Sequence, residues 1–287
     1  MNTKLGKKIN EGVSAEIFEW ENNEKIIKLA KSRSYSQAMV TEYLNSQVAW
    51  ESGLSVPQPF KMVEIYNRLG IVFERIYGNT LMDHFLNQSL CSFNTKGNIR
   101  GMNYKDVPRI TAKILREAHR RSAENMPFQR RAIICSIEEA KHLTPSEKKL
   151  VLDVLNSIPI KQQLCHGDPN LNNILIRDRD NKALLIDWMY ASIGNPEADL
   201  AEYIITVKYG KSFKNIPGGI TDCINPIREE TIKAFIDEYT KLSDITYEDI
   251  DAWIMPMAAS RLSAGIIKYD EQRLLVGEVR KRLRKYN

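Results

Sequence analysis

The chain has 287 residues, 43% of them hydrophobic and 27% charged, with a formal net charge of +5. A chain of this length buries a sizeable core without staples, and the composition excludes a disordered, fibrous or small disulfide-framed class. No apolar run is long enough to span a bilayer, and the opening MNTKLGKKIN lacks the apolar stretch of a secretory leader, so a cytoplasmic protein without membrane association is expected.

Strands are expected over residues 5–31. Val13, Ala15 and Ile17 alternate with more polar positions, and Lys25-Ile26-Ile27-Lys28-Leu29 is a short β-rich run. On that run Ile26 and Ala30 share a face with Lys28, which aims the lysine into an apolar cleft. From about Ser36 to Ser52 the period becomes helical, with Val40, Tyr43, Leu44 and Val48 on one stripe. Pro57 and Pro59 break the chain, and two further strands, Lys61–Tyr66 and Gly70–Ile76, follow around a tight Asn67-Arg68 turn. Gly78-Asn79 reads as a linker. Beyond it the pattern is mostly helical: a short segment at Leu81–Leu86, then Asp106–Ser122 with Val107, Ile110, Ile114, Leu115 and Ala118 at helical spacing. Thr144-Pro145-Ser146-Glu147 is a capping box with proline at the first helical position, so a helix runs from there to Ile158. Helices resume after Pro196.

Between the helices lies one β-rich island, His166 to Asp187. Asn173-Ile174-Leu175-Ile176 and Ala183-Leu184-Leu185-Ile186 flank a polar, turn-prone Arg177–Lys182 segment. A hairpin centred near Asp180 would pair Asn173 with Asp187 at its open end. An amide oxygen and a carboxylate are hard ligands suited to Mg²⁺ bound with phosphate oxygens and water. His166-Gly167-Asp168-Pro169-Asn170 precedes the first strand. A carboxylate at Asp168 could accept a substrate hydroxyl proton and orient the attacking oxygen.

His166-Gly167-Asp168, then Asn173, then Ile186-Asp187-Trp188 resembles the catalytic and metal-binding signature of the aminoglycoside phosphotransferase and choline kinase superfamily, which shares its fold with protein kinases. The resemblance extends over most of the chain. Leu5-Gly6 through Trp20 resembles the nucleotide-covering hairpin, Val72–Ile76 the hinge, Gly78 with Leu81 the post-hinge pattern, and Asn195–Ala201 the segment after the metal aspartate. It implies an α+β, two-lobed protein-kinase-like fold. A small β-rich N-lobe (1–77) would bind nucleotide, and a larger, mainly helical C-lobe (78–287) would carry the catalytic loop, metal site and substrate-binding helices. It implies that ATP, or GTP, is used with Mg²⁺ held by Asn173 and Asp187. Asp168 becomes the catalytic base or hydroxyl-orienting group, Lys28 the contact to the α- and β-phosphates, and Glu42 the partner of Lys28. Gly12 and Ser14 lie in the covering loop, the backbone of Glu74 and Ile76 bonds the base, His166 braces the loop, and Asp199 supports it from behind.

Two departures bear on this reading. The loop Asn10–Ala15 has one glycine where protein kinases have three, leaving Ser14 to supply a hydrogen-bond donor to phosphate, and Trp188-Met189 replaces the Phe-Gly that follows the metal aspartate there. The second argues against a protein substrate. The absence of a Walker-A sequence argues against a P-loop enzyme. The expected activity is transfer of a γ-phosphoryl group to a small-molecule hydroxyl. An aminoglycoside-type antibiotic is the first expected acceptor; a metabolite alcohol (choline, homoserine, a sugar) and a non-catalytic nucleotide-binding regulator stand as alternatives. Acids between Glu229 and Asp251, with Tyr239, Tyr247 and Trp253, could line a pocket for a cation, although solvated faces and core packing explain most of them. His119 is read as a packed core histidine. The basic tail is read as the solvated face of a last helix, so nucleic acid is not an expected partner, and the oligomeric state is left open. The cysteines at 91, 135, 165 and 223 show no metal-ligand spacing.

Overall fold

The computed structural model describes residues 5–21, 23–86, 104–124, 126–210, 221–265 and 267–286, with side chains described for all of these but 104 and 221–225. The fold is α+β and falls into two compact units. The first comprises Met1–Asn87 with Leu171–Ala191; the second comprises Gln88–Asn170 with Ser192–Asn287. The hairpin after Leu171 is therefore grouped with the N-terminal residues, whereas the sequence reading sets it in the 78–287 segment. Cys91 and the Cys223 side chain lie outside the described residues.

In the first unit, β1 (Lys8–Glu11), β2 (Ala15–Trp20), β3 (Lys25–Ala30), β4 (Pro59–Ile65) and β5 (Arg68–Glu74) form one antiparallel sheet in the order β1-β2-β3-β5-β4. The pleat alternation expected on β3 is present. Ile27 and Leu29 pack with Trp20, Ile65 and Val72 on one face. Ala30 lies on the other, with Ala15, Ile71 and Phe73 and with Met39 of α1 (Ser36–Glu51). Val13 leaves this pattern: it is exposed in the turn between β1 and β2.

The stripe expected on α1 is not the buried one. Met39, Glu42, Asn45, Ser46 and Ala49 are buried, and Leu44 is exposed. The helix packs through a half-polar face because its partners there are a lysine and backbone carbonyls. The β4–β5 turn falls one residue earlier than expected, at Tyr66 and Asn67, with φ of 50° and 58°. Two successive positive-φ residues make the kind of tight turn whose twist matches antiparallel strands.

Gly78-Asn79 is a strand rather than a linker. Gly78–Thr80 (β6) pairs with β8 (Ile174–Arg177), which pairs with β9 (Ala183–Leu185). Only glycine fits at 78, where a Cβ would stand 2.0 Å from the Ile176 carbonyl oxygen.

The second unit is mainly helical: α2 (Val107–His119), α3 (Gln129–Glu139), α4 (Pro145–Ser157), α5 (Pro196–Tyr209), α6 (Thr221–Leu242), α7 (Tyr247–Arg261) and α8 (Tyr269–Leu283). A two-stranded ribbon, β7 (Gln163–Cys165) with β10 (Ser192–Gly194), joins them. Pairs α2–α6, α5–α7 and α7–α8 pack around Leu115, Leu200, Phe235, Trp253 and Val279, all at most 1% exposed. The capping box is in place: Thr144 N–H donates to Glu147 Oε2 at 2.8 Å, and Glu147 N–H donates to Thr144 Oγ1 at 3.2 Å. Among the described residues, no helix is long and apolar enough to cross a membrane.

Candidate active site

In the first unit, three elements bring Lys28, Glu42 and Asp187 together. Lys28 projects from the middle of β3 and its side chain is only 15% exposed. Its ammonium donates to Glu42 Oε1 at 2.6 Å and to Asp187 Oδ1 at 3.1 Å. Burial alone would push the lysine pKa down; the Glu42 and Asp187 carboxylates outweigh it and raise it, so the amine stays charged. Glu42 is pushed up to about 7, chiefly by burial, against the pull of Lys28 and with a further push from Asp187. Its second oxygen, Oε2, is buried with no partner among the described residues.

Asp187 follows β9 in the left-handed region, at φ 65° and ψ 64°. That conformation costs about 1–3 kcal/mol for a residue with a side chain and persists only where its surroundings enforce it. The enforcing groups are identifiable. Asn45 Nδ2, buried on α1, donates to the carbonyls of Trp188 (2.9 Å) and Ala191 (3.3 Å), and Ile186 N–H donates to the Asn173 carbonyl at 2.9 Å. Asn173 thus pairs with Ile186, not with Asp187. The hairpin register is Ile174–Leu185, Leu175–Leu184 and Ile176–Ala183, which centres the turn half a residue earlier than expected. Asn181, at φ 55°, closes that turn by donating its N–H to the Arg177 carbonyl. Asn173 and Asp187 nonetheless stand at the same open end, one residue out of register. Replacing Asn45 by alanine removes a donor from both carbonyls, of which that of Trp188 keeps the Ala191 N–H at 3.1 Å, and a loss of about 1–3 kcal/mol is expected in denaturant unfolding.

Gly12 and Ser14 occupy the turn between β1 and β2, where Gly12 N–H donates to the Ala15 carbonyl at 2.9 Å and the Ser14 carbonyl accepts from Lys31. A Cβ at Gly12 would meet only the Ala15 oxygen, at 3.8 Å, so packing does not demand the glycine. Glu74 ends β5. Its N–H donates to the Gln58 carbonyl at 2.9 Å and its carboxylate accepts from Gln58 N–H at 3.3 Å. The backbone N–H and C=O of Ile76 find no partner among the described residues.

In the second unit, the loop after β7 carries His166, Gly167 and Asp168. His166 is fully buried and its Nδ1 accepts the Asp168 N–H at 3.3 Å. Gly167 sits at φ 80°, a turn that a side chain would strain. Asn170 donates its side-chain amide to Asp168 Oδ1 at 2.9 Å and its N–H to the Asp168 carbonyl, which orients the carboxylate. Asp199, on the first turn of α5, holds the loop from below: its Oδ2 accepts His166 N–H at 2.6 Å and its Oδ1 accepts Gly167 N–H at 3.0 Å. His119, at the end of α2, adds Nε2 to Asp199 Oδ2 at 3.1 Å and Nδ1 to the Tyr239 hydroxyl at 2.7 Å. It is a core histidine, as expected, but one tied into the loop support. Cys165 shares this buried neighbourhood, with its ligand atom within 4.8 Å of those of His119 and Asp199, and burial raises its thiol pKa well above the ordinary value.

Most of the acids between residues 229 and 251 are exposed, and four have local duties: Glu230 pairs with Lys105 at 3.4 Å and Glu238 with Lys113 at 3.5 Å. Asp249 accepts from Thr246 N–H at 2.8 Å as a helix cap, and Asp251 pairs with Arg282 at 2.7 Å. Tyr239 and Trp253 are core residues, whereas Tyr247 is 52% exposed. The tail arginines are not uniformly solvated either, since Arg282 also pairs with Glu278 and Arg280 with Glu147. Sequence reasoning overlooked two groups, Asn45 and the ion pair of Glu202 with Arg261, which also holds Glu271; it weighed Tyr239 for a cation pocket or the core and missed its bond to His119. Asn45 lies three residues after Glu42 on one helical face, and that spacing is the signal that could have found it.

The fold is the protein-kinase-like fold of aminoglycoside phosphotransferases and choline kinases. An aminoglycoside phosphotransferase, APH(4)-Ia, solved as a thermostable mutant with ADP and hygromycin B, matches with a TM-score of 0.62 at 14% identity, over 98% of this chain and 93% of its own. Choline kinase LicA from Streptococcus pneumoniae matches with a TM-score of 0.61 at 16% identity, over 99% and 94%. A putative fructosamine-3-kinase from Haemophilus somnus 129PT gives 0.61 at 12% identity, over 96% and 92%. In sequence, residues 104–213, which include the His166–Asp199 segment, match the family model described as phosphotransferase enzyme family. The resemblance drawn from the motifs is therefore borne out. No curated protein sequence matches the chain.

Proposed function

We propose that this chain is an ATP-dependent phosphotransferase that moves the γ-phosphoryl group to a hydroxyl of a small molecule. The observation that carries the proposal is the triad in which the largely buried Lys28 joins the buried Glu42 and the partly exposed Asp187, drawn from β3, α1 and the turn after β9. A buried lysine kept charged by two carboxylates is a poor stabilising device by itself, since desolvation offsets most of the attraction. It is a suitable one for receiving a triphosphate, which competes with Asp187 for the ammonium.

Lys28 binds phosphate oxygens, Glu42 fixes its direction, and the unpartnered Ile76 backbone serves the base, with the Glu74 carbonyl beside it. Gly12 and Ser14 cover the phosphates. The donor set at the open end of the β8–β9 hairpin, one carboxylate and one amide, fits a hard divalent cation. Mg²⁺ held by Asp187 and Asn173 would neutralise charge on the phosphate oxygens. Asp168, oriented by Asn170, takes the acceptor hydroxyl proton as the oxygen attacks phosphorus. GTP is the alternative donor.

An aminoglycoside-type antibiotic is placed first among acceptors, supported by the fold shared with APH(4)-Ia. A metabolite alcohol such as choline or a sugar stands close behind on the same kind of likeness. Action in the cytoplasm is part of this reading. The test is a panel of aminoglycosides, choline, homoserine and sugars, incubated with Mg-ATP or Mg-GTP and read by nucleoside diphosphate release. Acceptor-dependent release by at least one compound is expected. Tight nucleotide binding with no turnover across the panel would favour a non-catalytic regulator instead.

A further inference from the structure

We infer that the cavity among α5, α6, α7 and α8 is a binding site for a flat, uncharged aromatic molecule. It lies wholly within the second unit and encloses about 500 Å³. The site goes beyond the phosphotransferase reading and does not depend on it, because it is separate from the Asp168 loop. Asp199, on the first turn of α5, faces that loop and accepts its amides. Ile204, Ile205 and Lys208 form the α5 wall of the cavity. They stand roughly 140–240° around the helix from Asp199, at about 3.6 residues per turn. The cavity is therefore on the side of α5 turned away from the loop. Its other apolar walls are Ile232 and Ile236 of α6 and Ile250 and Ile254 of α7. Isoleucine is β-branched and stiff at its first side-chain torsion, so walls built from it hold their shape. Apolar walls around a volume of this order are the usual form of a small-molecule site.

The charge and shape of the ligand follow from the polar groups. Among the described residues, no residue lining the cavity has a buried side-chain polar atom without a partner. A ligand has no stranded donor or acceptor to satisfy inside, and a charged one would leave water for apolar walls at a cost. At the mouth, the exposed Glu229 and Asp237 are matched by the exposed Lys208 and Lys233. Glu229, Asp237 and Tyr247, weighed from the sequence for a cation pocket, do line this cavity, and the two lysines remove its preference for a cation. Arg282 sets the flat shape. Its Nε donates to Glu278 at 2.7 Å, its Nη2 to the Asp251 carboxylate at 2.7 Å and its Nη1 to the Asp251 carbonyl at 3.1 Å. Those bonds lie in the guanidinium plane and fix it, so what remains for a ligand is chiefly the planar face, which stacks on aromatic rings. The Tyr209 ring is fixed as well, by its hydroxyl donating to Glu278 at 2.6 Å. Tyr247, 52% exposed, adds a third flat group.

The experiment titrates the full chain with Nile red, an uncharged planar dye whose emission rises in apolar surroundings. One saturable site is expected. Ile232→Trp and Ile236→Trp each put an indole into the cavity from a half-buried position. Each variant, with its circular dichroism unchanged, should bind the dye more weakly by about tenfold or more. In the wild-type chain the dye should slow amide hydrogen exchange in α6 and α7 and leave β3 unchanged, a readout that needs no variant to fold. A matched set of competitors, naphthylmethanol, naphthoate and naphthylmethylammonium at neutral pH, then reads the charge preference, and the alcohol should displace the dye at the lowest concentration. No saturable binding, binding unchanged in both folded variants, or protection confined to other elements would each overturn the site. A charged competitor displacing the dye more readily than the alcohol would overturn the ligand class. None of these readouts uses catalysis, so failure of the phosphotransferase reading is distinguishable from failure of this one.

Discussion

Replacing Asp168 by alanine is expected to lower kcat by roughly 10³-fold, within the range that a positioned general base contributes, while leaving the affinity for nucleotide close to that of the wild type. The two halves of the expectation come from different parts of the chain. Asp168 belongs to the second unit, held by Asn170 and by a loop anchored on Asp199. The charged groups assigned to the triphosphate, Lys28, Glu42 and Asp187, belong to the first. Loss of the carboxylate therefore removes proton acceptance and leaves the phosphate-binding groups intact. A factor of 10³ corresponds to about 4 kcal/mol of transition-state stabilisation. Turnover of the variant at the wild-type rate, with an acceptor that the wild type uses, would rule out the role given to Asp168.

The second large effect concerns the metal. Asp187→Ala should weaken Mg-ATP binding by about 2 kcal/mol or more, which is a loss near 30-fold in affinity. Titration calorimetry reads it directly. The same variant titrated with ATP and excess chelator should show little loss, because the Asp187 carboxylate without a cation repels the triphosphate and competes for Lys28. An Mg-ATP affinity unchanged by the substitution would count against Asp187 as a metal ligand. Equal losses with and without magnesium would point to a packing role for the left-handed turn it occupies.

Local signals were legible where one residue type performs one local task. The Thr144–Glu147 capping box, the alternation along β3 and the polar turn between β8 and β9 each announce themselves over a few residues, and all are present. Register was less legible. Both hairpin turns sit a residue or less from the expected place, because positive-φ conformations at Tyr66, Asn67 and Asn181 choose the pairing, and several nearby polar residues could have adopted them. In α1 an apolar stripe was the natural reading, since apolar burial is the usual reason for a helix to pack. Instead the buried face presents Glu42 and Asn45 to a lysine and to carbonyls contributed by residues more than a hundred positions away.

The amino-acid order by itself determined the chemistry on offer. A carboxylate follows His166-Gly167, a second closes the hairpin opened by Asn173, and a lysine stands among apolar neighbours on a strand, because these depend only on residue identity and short-range periodicity. Tertiary structure alone decided the remaining pairings: Lys28 with Asp187, Asn45 beneath the turn at Asp187, and Tyr239 behind His119 and Asp199. Those pairs join elements far apart in the chain. Their energies come from desolvating charged and polar groups against one another, which no local stretch of sequence encodes.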